Sequence, residues 1–215
     1  MKHLKLALCL LLFISHLGVS QTNCALKIDD NDISVYLCDS RIGKFKTIVV
    51  ELDVPATVSQ YAAIVLDVER YHEWQYKAVN PRLVERVSET ELYYYSEVQT
   101  PWPTSNRDMI WHIKISQDTL TKVMVSEQTI FPDYLPKVDG VVRIPEARAT
   151  LTVTPIDKTH VHVHYILDVD PGGAVPAWIA NIFAAQAPWH TYNNFVQRVI
   201  TQGDDRVTVP FIEDY

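Results

Sequence analysis

Three histidines alternate along one segment that has the pattern of a β-strand, and histidine is a common zinc ligand. His160, His162 and His164 would point to the same side of that strand, a spacing that can present imidazoles to a metal ion. A strand with one side in water gives the same pattern, because Val161 and Val163 fill the alternate positions. We prefer this second interpretation and predict neither a metal site nor a cofactor.

Charged residues in other strand-like segments are candidates for contact with a ligand. Glu97 has the same parity as Tyr93 and Tyr95, so it is either an isolated carboxylate in an enclosed space or a residue that faces solvent. Arg107 and Arg143 stand near the beginnings of two strands. For both arginines, a ligand contact, an ion pair and a strand-end contact are open interpretations.

The short motifs of several enzyme classes do not occur in the sequence. It contains no Gly-x-Ser-x-Gly elbow and no phosphate-binding Walker pattern, and it has only 6 glycines. We therefore predict no catalytic residues and a protein that is not an enzyme.

Residues 1–20 have the pattern of a cleaved secretory signal. Lys2 and Lys5 precede an apolar run over 6–14, and 18–20 supply small residues for signal peptidase. The apolar run is much shorter than the roughly 20 residues of a spanning helix. We expect a periplasmic or secreted protein from a Gram-negative bacterium, with an uncleaved N-terminal anchor as the alternative.

Two cysteines remain after the signal. Cys24 and Cys38 form an even pair in an oxidising compartment, which favours a disulfide, with two free thiols as the alternative.

The charge of the chain argues against one class of partner. Loss of Lys2 and Lys5 changes the formal net charge from −7 to −9. No basic patch remains for nucleic acid, so we exclude nucleic acid as a partner.

Hydrophobic periodicity predicts one α+β domain over 21–202. The predicted strands lie over 33–38, 44–54, 82–88, 92–99, 109–117, 122–130, 141–154 and 160–168, with two short helices over 57–66 and 68–73. Short loops favour antiparallel neighbours. The tail over 203–215 is either disordered or docked on the domain.

A long amphipathic helix follows the last strand. Gly172 and Gly173 interrupt that strand, and apolar residues then recur at helical steps from Val175 to Val199. Pro188 lies inside this helix, so we expect a kink there. The apolar face of such a helix needs a partner, and we expect it to lie on one curved sheet.

One side of the strand after Arg107 is wide and apolar. This side holds Met109, Trp111, Ile113 and Ile115, whereas the other side holds Ile110, His112, Lys114 and Ser116. If the sheet wraps around the helix, the apolar side faces an enclosed space. That space either binds a ligand through apolar area or is a solid core.

Several motifs, in their order and spacing, resemble the START family of steroidogenic-acute-regulatory-related lipid-transfer domains. They are Trp-Pro-Thr-Ser-Asn-Arg-Asp at 102–108, Gly-Val-Val-Arg at 140–143, Asp-Pro-Gly-Gly at 170–173, Val-Pro-Ala-Trp at 175–178 with Asn181, and Tyr71 and Trp74. The likeness covers about 28–200. It implies a helix-grip fold, in which a curved antiparallel sheet wraps around a long C-terminal helix and encloses a cavity for one lipid.

The resemblance implies a carrier that binds one lipid or other apolar small molecule, with transient membrane contact as a further expectation. The candidate ligand-binding residues are Tyr95, Glu97, Arg107, Met109, Trp111, Ile113, Arg143, Trp178, Ile182 and Trp189. One alternative is a helix-grip enzyme, similar to cyclases or hydrolases, that acts on an apolar or aromatic substrate. Another alternative is a solid structural or partner-binding module.

Overall fold

The computed structural model describes residues 23–40, 45–173, 175, 177–202 and 208–215. Its strands are β1 Cys24–Asp30, β2 Ile33–Cys38, β3 Thr47–Val54, β4 Ala78–Arg86, β5 Glu91–Val98, β6 Arg107–Gln117, β7 Met124–Ile130, β8 Val142–Arg143, β9 Glu146–Pro155 and β10 Val161–Asp170. The helices are α1 Val58–Leu66, a 3₁₀ helix Val68–Glu73 and α2 Ala177–Gln202. The predicted signal over 1–20 lies outside the described residues.

The strands form one sheet in the order β1-β2-β3-β10-β9-β7-β6-β5-β4, with antiparallel neighbours throughout. The short strand β8 pairs with β6 in parallel and stands off this path. The long helix α2 packs on β1, β2 and β3. The predicted α+β helix-grip architecture is therefore confirmed.

Two differences from the predicted strands have simple causes. The segment predicted as one strand over 141–154 is two strands, β8 and β9, because Pro145 lies between them and has no N–H to donate to a ladder. Strand β1 was not predicted, because it is an edge strand whose side chains are mostly exposed and carry no burial pattern. Pairing with β2 and a disulfide between Cys24 and Cys38 hold it in place.

A capping box fixes the beginning of α1. The Thr57 hydroxyl accepts a hydrogen bond from the Gln60 backbone N–H at 3.2 Å, and the Gln60 side chain accepts one from the Thr57 N–H at 3.0 Å. The helix then buries Tyr61 and Val65 on one face, as the helical spacing predicts. This face is part of the site described below.

The C-terminal helix α2 continues through Pro188. Its second half enters the core through Phe195 and Val199, whose side chains are fully buried. Within the described residues, no helix combines the length and the apolar character that a membrane-spanning segment requires.

The last described residues dock on the domain. The Val209 N–H donates to the Ser59 hydroxyl at 2.8 Å, and the Ser59 N–H donates to the Asp214 carboxylate at 2.8 Å. Ile212 is buried. Of the two alternatives for the tail, residues 208–215 therefore follow the docked one.

Candidate functional site

A cavity of about 320 Å³ lies between the sheet, the first helices and α2. The sheet contributes apolar side chains from five strands, among them Ile48, Val98, Leu151, Leu167 and Val169. Helix α2 contributes Phe183, Ala184, Ala187, Pro188 and Tyr192. The enclosed space is therefore a cavity lined mainly by apolar groups.

Of the β6 residues predicted to face the enclosed space, some line the cavity and others lie in the solid core. Met109 and Trp111 line the cavity, as expected from their parity. Ile113 lies on the same side of the strand, but it is fully buried in the core and does not line the cavity. The apolar side of β6 thus passes from cavity wall to solid core along the strand.

Aromatic rings dominate the wall, and most of them were not among the predicted site residues. Tyr71 lies 4.7 Å from Trp74 and 5.1 Å from Tyr94 between ring centroids, and Tyr61 lies 4.6 Å from Phe195. The signals that could have identified them are the helical spacing of Tyr61 and Val65 and the alternation of apolar residues along β10. The tyrosines in the wall are Tyr61, Tyr71, Tyr76, Tyr94, Tyr165 and Tyr192.

Burial keeps several of these tyrosines neutral. It raises the pKa of Tyr61, Tyr71 and Tyr165 well above the ordinary value, because the ionised phenolate would lose its hydration. The Tyr71 hydroxyl donates to the Val65 carbonyl at 2.5 Å. The indole Nε1 of Trp74 is buried and has no hydrogen-bond partner in the described part of the chain. The aromatic wall therefore offers a ligand apolar faces and few polar groups.

Arg107 is a predicted site residue that lies in the cavity wall. Its side chain is buried, and its Nε donates to the Pro171 carbonyl at 3.3 Å. Its Nη1 donates to the Ser105 carbonyl and, at 3.5 Å, to the Thr100 hydroxyl. Burial lowers the pKa of the Arg107 guanidinium. The cation thus joins two loops at one part of the wall.

Arg143 does not line the cavity, contrary to expectation. Its Nε and Nη2 donate to the two carboxylate oxygens of Asp108 at 2.8 and 2.9 Å, and both side chains are almost fully buried. Further hydrogen bonds from Nη1 and Nη2 go to the carbonyls of Pro132, Leu135 and Pro136. All five N–H groups of this guanidinium therefore have protein acceptors, and none is left for a ligand.

Tyr95 and Glu97 lie on the side of β5 opposite the cavity, because Tyr94 and Val98 occupy the inner side. The Arg82 guanidinium lies 3.9 Å from the centre of the Tyr95 ring, and burial raises the pKa of Tyr95 to about 12. The Glu97 carboxylate accepts hydrogen bonds from the side chains of Asn80 and Asn106, at 3.4 and 2.6 Å. The prediction that they contact a cavity ligand is thus corrected.

The three aromatic or apolar predictions on α2 have different outcomes. Trp189 does not line the cavity; its indole N–H donates to the Asp30 carbonyl at 3.2 Å. The side chains of Trp178 and Ile182 lie outside the described part of the structure.

The alternating histidines of the sequence each have an acidic partner. The Nδ1 atoms of His162 and His164 lie 2.8 and 3.1 Å from carboxylate oxygens of Asp53 and Glu51 on β3. Across the described residues, no three side chains of the metal-binding types converge. The geometry thus explains His162 and His164 as partners of acidic residues on the neighbouring strand, and His160 as the partner of Asp157 in the preceding turn, at 3.4 Å.

The family model of the START domain matches residues 21–202, over nearly the whole described chain. This chain belongs to the START family. The family assignment agrees with the sheet, the long C-terminal helix and the enclosed cavity.

Individual START relatives show how widely the fold and the sequence are shared. The chain is 27% identical to the STAR-related lipid transfer protein of Xanthomonas axonopodis, with a TM-score of 0.76 over 82% of this chain and 98% of that structure. It is 25% identical to the phosphatidylcholine transfer protein of Mus musculus, over 73% of this chain and 74% of the relative. Human STARD10, at 15% identity, shares the fold with a TM-score of 0.72 over 85% of this chain and 74% of that structure.

Proposed function

We propose that this protein binds one lipid or other apolar small molecule in its cavity and carries or sequesters that molecule in water. The cavity supports this proposal, because its walls are mostly aromatic and aliphatic and bury an apolar ligand from water. The similarity to phosphatidylcholine transfer protein points to the same class of ligand.

The walls of the cavity do not favour catalysis. General acid–base chemistry requires a titratable group within hydrogen-bond reach of the substrate. Among the described residues, neither a carboxylate nor a histidine lines the cavity, and Glu97 lies on the outer side of β5. The titratable groups that line it are Lys46, Arg107 and tyrosines, and burial raises the pKa of Tyr61, Tyr71 and Tyr165 further from neutrality. We therefore infer a binding protein rather than a cyclase-like or hydrolase-like enzyme.

Helix α2 is the wall that offers a route for ligand entry. Ala184, Ala187 and Pro188 line the cavity on this helix. Pro188 has no N–H to donate to the Ala184 carbonyl, so one backbone hydrogen bond of the helix is missing beside the ligand. We infer that α2 opens around this turn when a ligand enters.

The test is native mass spectrometry of the protein produced in its own host, followed by solvent extraction and lipid analysis. We expect one apolar molecule per chain. Ala184→Phe should fill part of the cavity and lower ligand occupancy at least tenfold, whereas Ala185→Phe should not, because Ala185 does not line the cavity. Purified protein that is empty and takes up no fluorescent fatty acid, sterol or phospholipid would contradict the proposal.

A short loop beside the cavity supports transient membrane contact. Trp102 is 92% exposed in the segment between β5 and β6, where Thr100 and Thr104 line the cavity. Tryptophan is favoured at the interface between a bilayer and water. We infer that this loop touches the membrane from which the ligand is taken.

Vesicle binding tests the membrane contact. Trp102→Ala should reduce binding to neutral phosphatidylcholine vesicles severalfold. Leu120→Ala is the matched control, because Leu120 is 91% exposed in the turn at the opposite end of β6. Equal binding by both variants and the wild type would argue against a role for the loop.

We further propose a periplasmic or secreted location. The pattern of residues 1–20 and the disulfide between Cys24 and Cys38 support it. N-terminal sequencing of the protein from a periplasmic or culture fraction should begin at Gln21. Recovery of the intact chain in the cytoplasm alone would contradict this proposal.

A further inference from the structure

The cavity wall carries positive charge without negative charge. Lys46 and Arg107 line it, and no carboxylate of the described chain does. Lys46 is half exposed and pairs with Asp39 at 2.9 Å. Arg107, in contrast, is 7% exposed and has no ion pair with a described residue. Burial of a cation without a counter-ion costs free energy, so the absence of an anionic partner for Arg107 among the described residues needs an explanation.

One nitrogen of Arg107 has no hydrogen-bond acceptor among the described residues. The hydrogen bonds of this side chain to described residues come from Nε and Nη1, and Nη2 donates none. Gly173 lies beside Nη2 with a φ of +65°, and a Cβ built there would lie 3.9 Å from this nitrogen. The positive φ explains the glycine at this position, and the backbone at Gly173 lies beside a guanidinium nitrogen whose two N–H groups have no acceptor among the described residues.

Arg143 is a second buried arginine, and protein groups neutralise its charge and accept all of its hydrogen bonds. That side chain has a bidentate carboxylate partner, Asp108, and protein acceptors for every N–H. Arg107 differs from Arg143 in three respects. It lines the cavity, it has no carboxylate partner among the described residues, and its Nη2 donates no hydrogen bond to them. Within the described residues, the side chain of Arg107 therefore faces the cavity with N–H groups to which no acceptor is assigned.

We propose that Arg107 binds the anionic head group of the cavity ligand, a carboxylate or a phosphate, while the apolar chain of that ligand lies along the aromatic wall. The inference rests on the proposed lipid-binding function and specifies the charge of the ligand. A cavity of about 320 Å³ is at the small end of ligand pockets, which span about 300–1,000 Å³, and this favours an amphiphile with one chain.

Three ligands with the same sixteen-carbon chain test the charge preference on the wild-type protein. Palmitate and hexadecyl phosphate carry an anionic head group, whereas hexadecanol is neutral. A hydrogen bond to a charged group contributes about 1.5–3 kcal/mol, so we expect at least one anion to bind roughly 10- to 100-fold more tightly than the alcohol. Tighter binding of palmitate assigns a free fatty acid, and tighter binding of hexadecyl phosphate assigns a phosphate head group.

Two variants locate the preference. Arg107→Gln removes the charge, so it should bring the affinities for the two anions down to that for hexadecanol in the same variant. Lys46→Gln is the control on the same wall and should keep the preference. The comparison of ligands on the wild type needs no variant, so the test holds even if Arg107→Gln does not fold.

The outcomes separate this inference from the function on which it rests. Equal affinities of the three ligands for the wild type would overturn the inference and leave lipid binding intact. A preference that survives in folded Arg107→Gln would also overturn it. Failure of all three ligands to bind, together with an empty native protein, would overturn both proposals.

Discussion

Replacing Arg143 by methionine should destabilise the protein strongly without weakening the binding of its ligand. The side chains of Arg143 and Asp108 are 3% and 1% exposed and share two hydrogen bonds of 2.8 and 2.9 Å. Removal of the cation leaves a buried carboxylate and the carbonyls of Pro132, Leu135 and Pro136 without this donor. Breaking a buried ion pair from one side costs about 3–5 kcal/mol, and we expect a loss of this size in the free energy of unfolding.

A second variant separates the charge from the carbonyls. In Asp108→Asn with Arg143→Met, no buried charge remains, but the carbonyls still lack their donor. We expect this pair of substitutions to recover part of the loss, because the buried carboxylate charge is gone while the carbonyls remain without their donor. The size of this recovery therefore shows how much of the lost free energy of unfolding comes from the unpaired carboxylate charge and how much from the carbonyls.

Urea denaturation followed by circular dichroism measures these differences at an unchanged m-value. Arg70→Met is the control, because Arg70 is 54% exposed and its ion pair with Glu73 should contribute less than about 1 kcal/mol. A loss below 1 kcal/mol for Arg143→Met would refute the reasoning. A weakened affinity for the ligand at full folding would instead restore Arg143 as a binding residue.

Three further predictions concern the disulfide, the tyrosines and α2. Replacement of Cys24 and Cys38 by alanine should lower the free energy of unfolding by about 3 kcal/mol, because the bond closes a loop with a sequence separation of 14; wild type alone should then respond to reductant in the same denaturation assay. Burial raises the pKa of Tyr61, Tyr71 and Tyr165, so their contribution to stability is complete below pH about 10 and falls as the pH rises above it. In an alkaline titration, part of the tyrosinate absorbance should therefore appear only together with unfolding, and the absorbance of all 11 tyrosines in the folded protein would contradict this. Hydrogen exchange should be faster over 184–189 than in β9 and β10, and equal protection would exclude opening near Pro188.

The sequence predicted the architecture well because most elements have a clear period. The alternation on β6 and the helical spacing of α1 and α2 depend on local pattern alone. Strand β1 lacks such a pattern, since an exposed edge strand owes its place to pairing with β2 and to the bond between Cys24 and Cys38. The single strand predicted over 141–154 is wrong at Pro145, because proline has no N–H to donate to the ladder and the strand divides there into β8 and β9.

The site was harder to predict because it depends on contacts between distant segments. On β5, apolar rings occupy both parities at 93–95, so the pattern could not show which side faces the cavity. Arg107 and Arg143 looked alike in sequence, and they differ because β8 pairs with β6 in parallel and brings Arg143 to Asp108. A pairing between two segments so far apart in the chain leaves no pattern in the local sequence of either segment.

The position of β10 means that the sheet cannot close until late in the synthesis of the chain. This strand lies between β3 and β9, so it joins the N-terminal strands to the rest of the sheet, yet it is the last strand to leave the ribosome. Until residues 161–170 emerge, β3 and β9 both present unpaired edges that invite association with other chains. A messenger truncated before codon 161 should therefore yield two half-sheets that aggregate, whereas loss of the edge strand β1 should leave the remaining pairings in place.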